Sequence, residues 1–417
     1  MKKMKSVFFV TAVSILTLFP FSHTGNNVFA KEVSISEADI SEDYSDQSVV
    51  EVTDESLANL ALNFAKEFKG TEDLMVSSII PIYDTENQII SYSVDFVKDN
   101  VSHGYVLIDL RMDGSYISQF SIEPGAKSLY ESLADKSAIE VGEIEEPYLI
   151  ETFPTEYNLV IENDDEVINT NGESFSISEF EEYTAKVKPI AESELANSVT
   201  RNSRSTKYDH ASAVFSNYPS NLNLTSSHYL RMFNALSQGR SERAAGKYAC
   251  AVHAMAIIAC SYRLYNSAND AELRSAYNSL WNYSGTTVSS TSNGITYGGT
   301  QPSRIGPALV SYAREKGMNL TSQRIISPTF SDIQTRIAQS YPVAFTYFYY
   351  KPNGTVGGHT VFAQGALSGT INGAQTNFLV VADGWYDSAT YFNYTSIPRT
   401  LQSYEITGWS GSKLFHF

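Results

Sequence analysis

The first apolar stretch runs from Val7 to Phe19 behind Lys2, Lys3 and Lys5, and it ends near Val28-Phe29-Ala30, with small or branched residues at the −3 and −1 positions. A basic start, a short apolar run and small residues before a cut predict a secretory signal peptide over residues 1–30. The run is too short to span a bilayer as a helix, and no later run reaches 18 apolar residues. A secreted chain with no membrane span after signal removal is expected. Residues 31–53 are acidic and Ser-rich with few bulky apolar positions, a composition that predicts an arm without a core. From Glu55 to Ala65 apolar residues recur at helical spacing, and Lys66 to Gly70 supplies a basic last turn and a glycine stop. Four strand-like runs follow, Leu74 to Tyr83, Ile89 to Val97, Tyr105 to Leu110 and Ser115 to Ile122, separated by Asn- and Asp-containing turns. One helix on an antiparallel meander is a small α+β unit. Between residues 123 and 197 acidic residues interrupt the apolar runs, and no element is assigned.

The pattern breaks at Ser198-Val-Thr-Arg-Asn-Ser-Arg-Ser-Thr-Lys207, polar and basic with no apolar stripe. This predicts a linker over residues 198–210, with Arg201, Arg204 and Lys207 as processing sites. Beyond it, a helix is expected over Ser226 to Leu236, then a polar loop from Ser237 to Lys247. From Cys250 to Cys260 the chain is apolar on nearly every side, the mark of a centrally buried helix. Helices are predicted over Ala271 to Tyr283, Arg304 to Lys316 and Phe330 to Gln339, the last with Pro328 and Thr329 as start signals. Tyr341 to Tyr347, His359 to Ala366 and Phe378 to Val381 then read as strands.

Charge sharpens the division. Residues 31–200 carry 37 Asp/Glu and 9 Lys/Arg, a net of −28, whereas residues 201–417 carry 9 and 17, a net of +8. The halves are expected to attract one another, and the acidic half reads equally as a solvating surface that keeps an exported protein soluble. The two cysteines, Cys250 and Cys260, are ten positions apart in one predicted helix, roughly 15 Å by helical rise, too far for a disulfide.

A thiol acyl-transfer site needs a cysteine favoured as thiolate, a histidine to share its proton and a polar group to hold that histidine. Cys250 stands where loop gives way to helix, so unpaired N–H groups favour the thiolate and are placed to receive an oxyanion. His359 follows Gly357-Gly358 and opens a strand. Asp383 ends the next strand in Val-Val-Ala-Asp-Gly-Trp, where a hairpin brings its carboxylate beside the imidazole and Trp385 covers the pair. Cys260 reads as core, His253 as a rival base fixed along the helix, and Asp387 as a surface turn residue. No His-x-x-x-His, Cys-x-x-Cys, P-loop or dinucleotide motif is present, so no cofactor, no metal and no nucleic-acid partner is expected. The Tyr347 to Lys351 run reads as a strand beside the cleft.

A cysteine at the start of a central helix, then a Tyr-Pro-Val strand, Gly-Gly-His and Asp-Gly-Trp, in that order, resembles the papain-like cysteine peptidases, within them exported bacterial enzymes of the streptopain and staphopain kind. The likeness covers roughly residues 205–417. It implies an α+β papain-like catalytic domain, a central buried helix packed on an antiparallel sheet, and it likens residues 31–200 to a propeptide-like α+β domain. It further implies a secreted zymogen with protein or peptide substrates, blocked in cis by its own propeptide, and a Cys250-His359-Asp383 triad shielded by Trp385. The family's glutamine five or six residues before the nucleophile is replaced here by Ala244 and Ala245. Gln238, twelve residues upstream, supplies the second oxyanion donor only if the intervening segment folds back. A transglutaminase-like acyltransferase or amidase, or an inactive papain-fold binding or inhibitor protein, would share the same fold.

Overall fold

The computed structural model describes residues 52–182 and 222–414, apart from short gaps at 69, 113–115, 138, 140–143, 145, 154, 163–164, 171, 231–235, 293, 351–355, 372, 387 and 396–402. Residues 1–30, read as a signal peptide, residues 31–51 of the acidic arm, the expected linker and Asp387 lie outside the described residues.

The N-terminal half is built on α1 (Asp54–Ala65), opened by a capping box in which Thr53 and Ser56 bond each other's main-chain N–H. It packs Leu57, Leu60 and Phe64 on a meander of β1 (Met75–Tyr83), β2 (Ile89–Lys98), β3 (Val101–Asp109) and β4 (Ile117–Ser121). The unassigned stretch forms α2 (Leu129–Ser137) and the short strands β5 (Tyr148–Phe153), β6 (Glu156–Ile161), β7 (Glu166–Ile168) and β8 (Ser174–Ser176). β5 joins β1 in parallel, and β6, β7 and β8 continue the sheet antiparallel.

The C-terminal half begins with β9 (Leu222–Tyr229), where sequence propensity predicts a helix. Its register, from Tyr229↔Gly365 to Leu222↔Ile371, shows why: a long neighbouring strand offers it an edge, and tertiary pairing overrides local preference. The expected polar loop at 237–247 is instead α3 (Gln238–Ala245), capped by Ser237 and stopped by left-handed Gly246, followed by β10 (Lys247–Tyr248). The buried helix α4 (Cys250–Ser261) and α5 (Asp270–Ser284) come next, with β11 (Thr287–Ser292) and β12 (Ile295–Gly299) forming a separate small sheet with β10. Then follow α6 (Pro302–Glu315), β13 (Thr321–Ile326), α7 (Phe330–Ala338), β14 (Val343–Tyr350), β15 (Val356–Ile371), β16 (Ala374–Ala382), β17 (Thr390–Asn393) and β18 (Ser403–Ser410). α4 is buried along its whole length after Cys250, in a core it shares with α5, α6 and the inner faces of β14 and β15.

The protein is thus mixed α+β with a large sheet. Among the described residues that sheet runs β13-β18-β14-β15-β16-β17-β4-β3-β2-β1-β5-β6-β7-β8, with β9 on β15, so the two halves share it. The seam is β17 on β4, where Tyr391 pairs with Phe120 and Phe392 with Gln119. Phe120 also stacks on Tyr391 at 4.4 Å between ring centroids. Behind the seam, Leu367, Phe378 and Val380 enter one apolar cluster with Phe64 and Val106. No helix among the described residues is long and apolar enough to cross a membrane.

Candidate active site

Cys250 is the first residue of α4, and two devices fix that helix start. Ala249 takes extended geometry at the N-cap, and the Tyr277 hydroxyl of α5 accepts its N–H at 3.0 Å. The thiol is half-buried, and burial raises its pKa above the ordinary cysteine value. The main-chain N–H and hydroxyl of Thr360 and the N–H groups of Ala251 and Cys250 itself act the other way, each favouring thiolate, but burial outweighs them. The helix start and Thr360 of β15 both offer donors to the sulfur, yet burial keeps it a thiol, whereas the sequence reading expects a thiolate.

Thr360 directly follows His359 on β15, so Cys250 packs on the same short stretch of strand that carries His359. β15 pairs with β16 only as far as Phe362↔Ala382. Past Ala382 the chain leaves the sheet in the turn Asp383-Gly384-Trp385-Tyr386, and this turn holds the imidazole. His359 Nε2 meets the main-chain carbonyl of Asp383 at 3.1 Å. A carbonyl only accepts, so Nε2 carries the hydrogen and Nδ1 is left as the basic nitrogen. Trp385 stacks on the ring with centroids 3.8 Å apart and planes 10° from parallel, and Tyr347 meets it edge-on. Burial lowers the pKa of His359 to about 3, helped by the neighbouring His253, so the imidazole is neutral here.

Sequence reading places the Asp383 carboxylate on the imidazole. In the structure that carboxylate lies within its own turn, accepting from the N–H groups of Trp385 at 2.9 Å and Tyr386 at 3.0 Å and from the Thr390 hydroxyl. The reason is local: an Asp-Gly turn with Gly384 at φ +85° offers two main-chain donors within one residue's reach. Burial raises the Asp383 pKa to about 6 despite those donors. Gln238 is brought back to this turn, its N–H bonding the Gly384 carbonyl at 3.0 Å. Its side-chain amide donates to Glu242 Oε1 at 2.7 Å. His253 lies on α4 facing away from bulk solvent, with Nδ1 3.0 Å from the Ser241 hydroxyl. Cys260 is buried in the core.

The N-terminal half reaches the same turn. Lys136 of α2 donates to the Trp385 carbonyl at 2.9 Å and to the Thr170 carbonyl. Trp385 and Tyr386 pack in one cluster with Leu129, Leu133 and Tyr157, and Thr155 and Tyr347 share a hydroxyl contact of 2.7 Å. Sequence reading misses Thr360, Tyr277, Lys136 and Thr155. Thr360 is signalled only by adjacency to His359, and Lys136 by nothing, because its helix sits in an unassigned region. Among the described residues no group of three or more His, Cys, Asp or Glu side chains is gathered closely enough to hold a metal ion. No protein-family model matches the chain, and no curated protein is similar enough to match it.

Proposed function

We propose that this chain is a secreted, papain-like cysteine endopeptidase made as a latent precursor, with Cys250 as nucleophile and His359 as general base. The observation that carries the reading is the arrangement along one stretch of β15: Thr360 bonds the Cys250 thiol, while the adjacent His359 is held at Nε2 by the Asp383 carbonyl and covered by Trp385. In the reaction, the Cys250 sulfur adds to the scissile carbonyl carbon and its proton passes to His359 Nδ1. His359 gives that proton to the leaving amine as the C–N bond breaks, leaving a thioester on Cys250. Water then attacks the thioester as His359 takes its proton, the C–S bond breaks, and His359 returns the proton to the thiol as the acid product leaves. The Asp383 turn holds the tautomer that leaves Nδ1 basic.

The same geometry supports the latent part of the reading. A protonated thiol and a buried neutral imidazole do not form an ion pair, and Trp385, which covers the imidazole, packs against Leu129 and Leu133 of α2. Residues 31–200 act as the propeptide, with peptide and protein segments as the substrates that replace them. The opposite charges of the halves, −28 and +8, assist the closed state. The test is incubation of the full chain with thiol reductant, followed by sequencing of fragments and labelling with a peptidyl epoxide. Cleavage and labelling at Cys250 are expected in wild type and absent in Cys250→Ala; a Cys250→Ala protein that cleaves unfolded substrates at the wild-type rate overturns the proposal.

A further inference from the structure

An oxyanion forms on the substrate carbonyl when the thiol adds, and a hole of two donors ordinarily holds it. The main-chain N–H of Cys250 at the start of α4 is one. Gln238 is poorly placed as the other, since its amide N–H is engaged by the Glu242 carboxylate, which also accepts from Tyr297.

Tyr248 offers a donor that no carboxylate engages. It stands two residues before the nucleophile on β10, is 5% exposed, and its hydroxyl is buried with no hydrogen-bond partner. Leaving a buried hydroxyl unbonded costs about 1–3 kcal/mol, so such a group calls for a reason. Its position is set by the turn that holds His359. A Cβ added to Gly384 would lie 2.8 Å from the Tyr248 hydroxyl oxygen, so the phenol ends against the residue between Asp383 and Trp385. The ring is steadied by His253 and Tyr297, whose centroids lie 5.6 and 6.4 Å away. Burial first, then the charges of Cys250, Tyr277 and Asp383, hold the phenol pKa well above its ordinary value. The group is therefore a permanent donor at working pH, two residues before the nucleophile and against the histidine-holding turn, where His253 Nε2 also ends.

We propose that Tyr248 is a catalytic residue whose hydroxyl donates to the substrate oxyanion, taking the place of the glutamine donor. This rests on the peptidase reading above. The proton stays on the phenol, which bonds the oxygen while the C–S bond forms and releases it when the carbonyl re-forms.

The test compares wild type and Tyr248→Phe, each expressed as the full chain, nicked with trypsin and then freed of trypsin activity by a serine-protease inhibitor. Loss of one such donor lowers kcat by roughly 10²–10³-fold, with KM within about threefold of wild type. A peptide aldehyde, whose adduct with Cys250 carries the same oxygen, loses affinity by a comparable factor, whereas iodoacetamide, which forms no oxyanion, alkylates Cys250 at the wild-type rate. A kcat within about threefold of wild type overturns the assignment, and so does alkylation slowed as much as hydrolysis, which would make Tyr248 a support for the thiol alone. If Tyr248→Phe does not fold, Tyr248→Met repeats the comparison with the same outcomes. Wild type without any Cys250-dependent hydrolysis overturns the peptidase reading and this assignment together.

Discussion

Trp385 lies flat on His359 at 3.8 Å, and the same indole belongs to the apolar cluster formed by Leu129, Leu133 and Tyr157. One side chain thus serves the imidazole and the contact between the halves. Trp385→Ala is expected to destabilise the full chain by about 3–5 kcal/mol, the range for a buried aromatic. It is also expected to hasten maturation while lowering the kcat of the matured enzyme. Urea unfolding and a time course of processing read the two effects separately; faster kcat with unchanged stability would contradict them.

The Asp383 carboxylate caps a turn, while the main-chain carbonyl holds His359. Asparagine keeps an oxygen for the two N–H groups, and its NH2 faces the Thr390 hydroxyl, which accepts as well as donates. Asp383→Asn is therefore expected to retain kcat within about tenfold, whereas a carboxylate paired directly with the imidazole would cost about 10⁴-fold on the same change. Asp383→Ala leaves the turn donors unmet and is expected to lose about 2–3 kcal/mol. Steady-state rates of both variants decide the matter.

Lys136 is a charged donor on the Trp385 carbonyl, an interaction worth about 1.5–3 kcal/mol. Lys136→Met keeps the stem and removes the charge. The N-terminal half is expected to hold the site at least about tenfold less tightly, seen as earlier self-processing and a weaker inhibition constant for the separated half. Added salt should narrow the difference between variant and wild type.

Asp95 is buried on β2 with its oxygens on the Ser93 and Ser78 hydroxyls, and burial raises its pKa to about 7. Between pH about 4 and 7 the folded chain keeps a proton that the unfolded chain has released, so stability falls as pH rises, by up to about 1.4 kcal/mol per unit. Asp95→Asn removes this dependence. Its stability relative to wild type is expected to climb from pH 4 to 7 in urea titrations; parallel curves would refute the assignment.

The helix of Cys250, the strand of His359 and the strand that leads to Asp383 are legible in sequence, because an unbroken apolar run and β-branched alternation carry their own signals. The strand at Leu222–Tyr229 is not, since its conformation comes from the β15 edge more than from its own residues. Nor is the division of Asp383 between carbonyl and carboxylate, which depends on Gly384 adopting positive φ. Tyr248 is invisible for a similar reason: its importance lies in an unmet hydroxyl, and satisfaction of donors is a property of three-dimensional neighbours.

If residues 31–200 are removed as proposed, the seam at Phe120↔Tyr391 and Gln119↔Phe392 has a consequence for what remains. β17 would become a sheet border, with bare N–H and C=O groups and an uncovered Tyr391. The matured enzyme would then carry a sticky margin able to recruit any extended chain, its own excised segment or another copy included. On the proposed reading, the uncut form would guard the fold from self-association as well as its surroundings from cleavage.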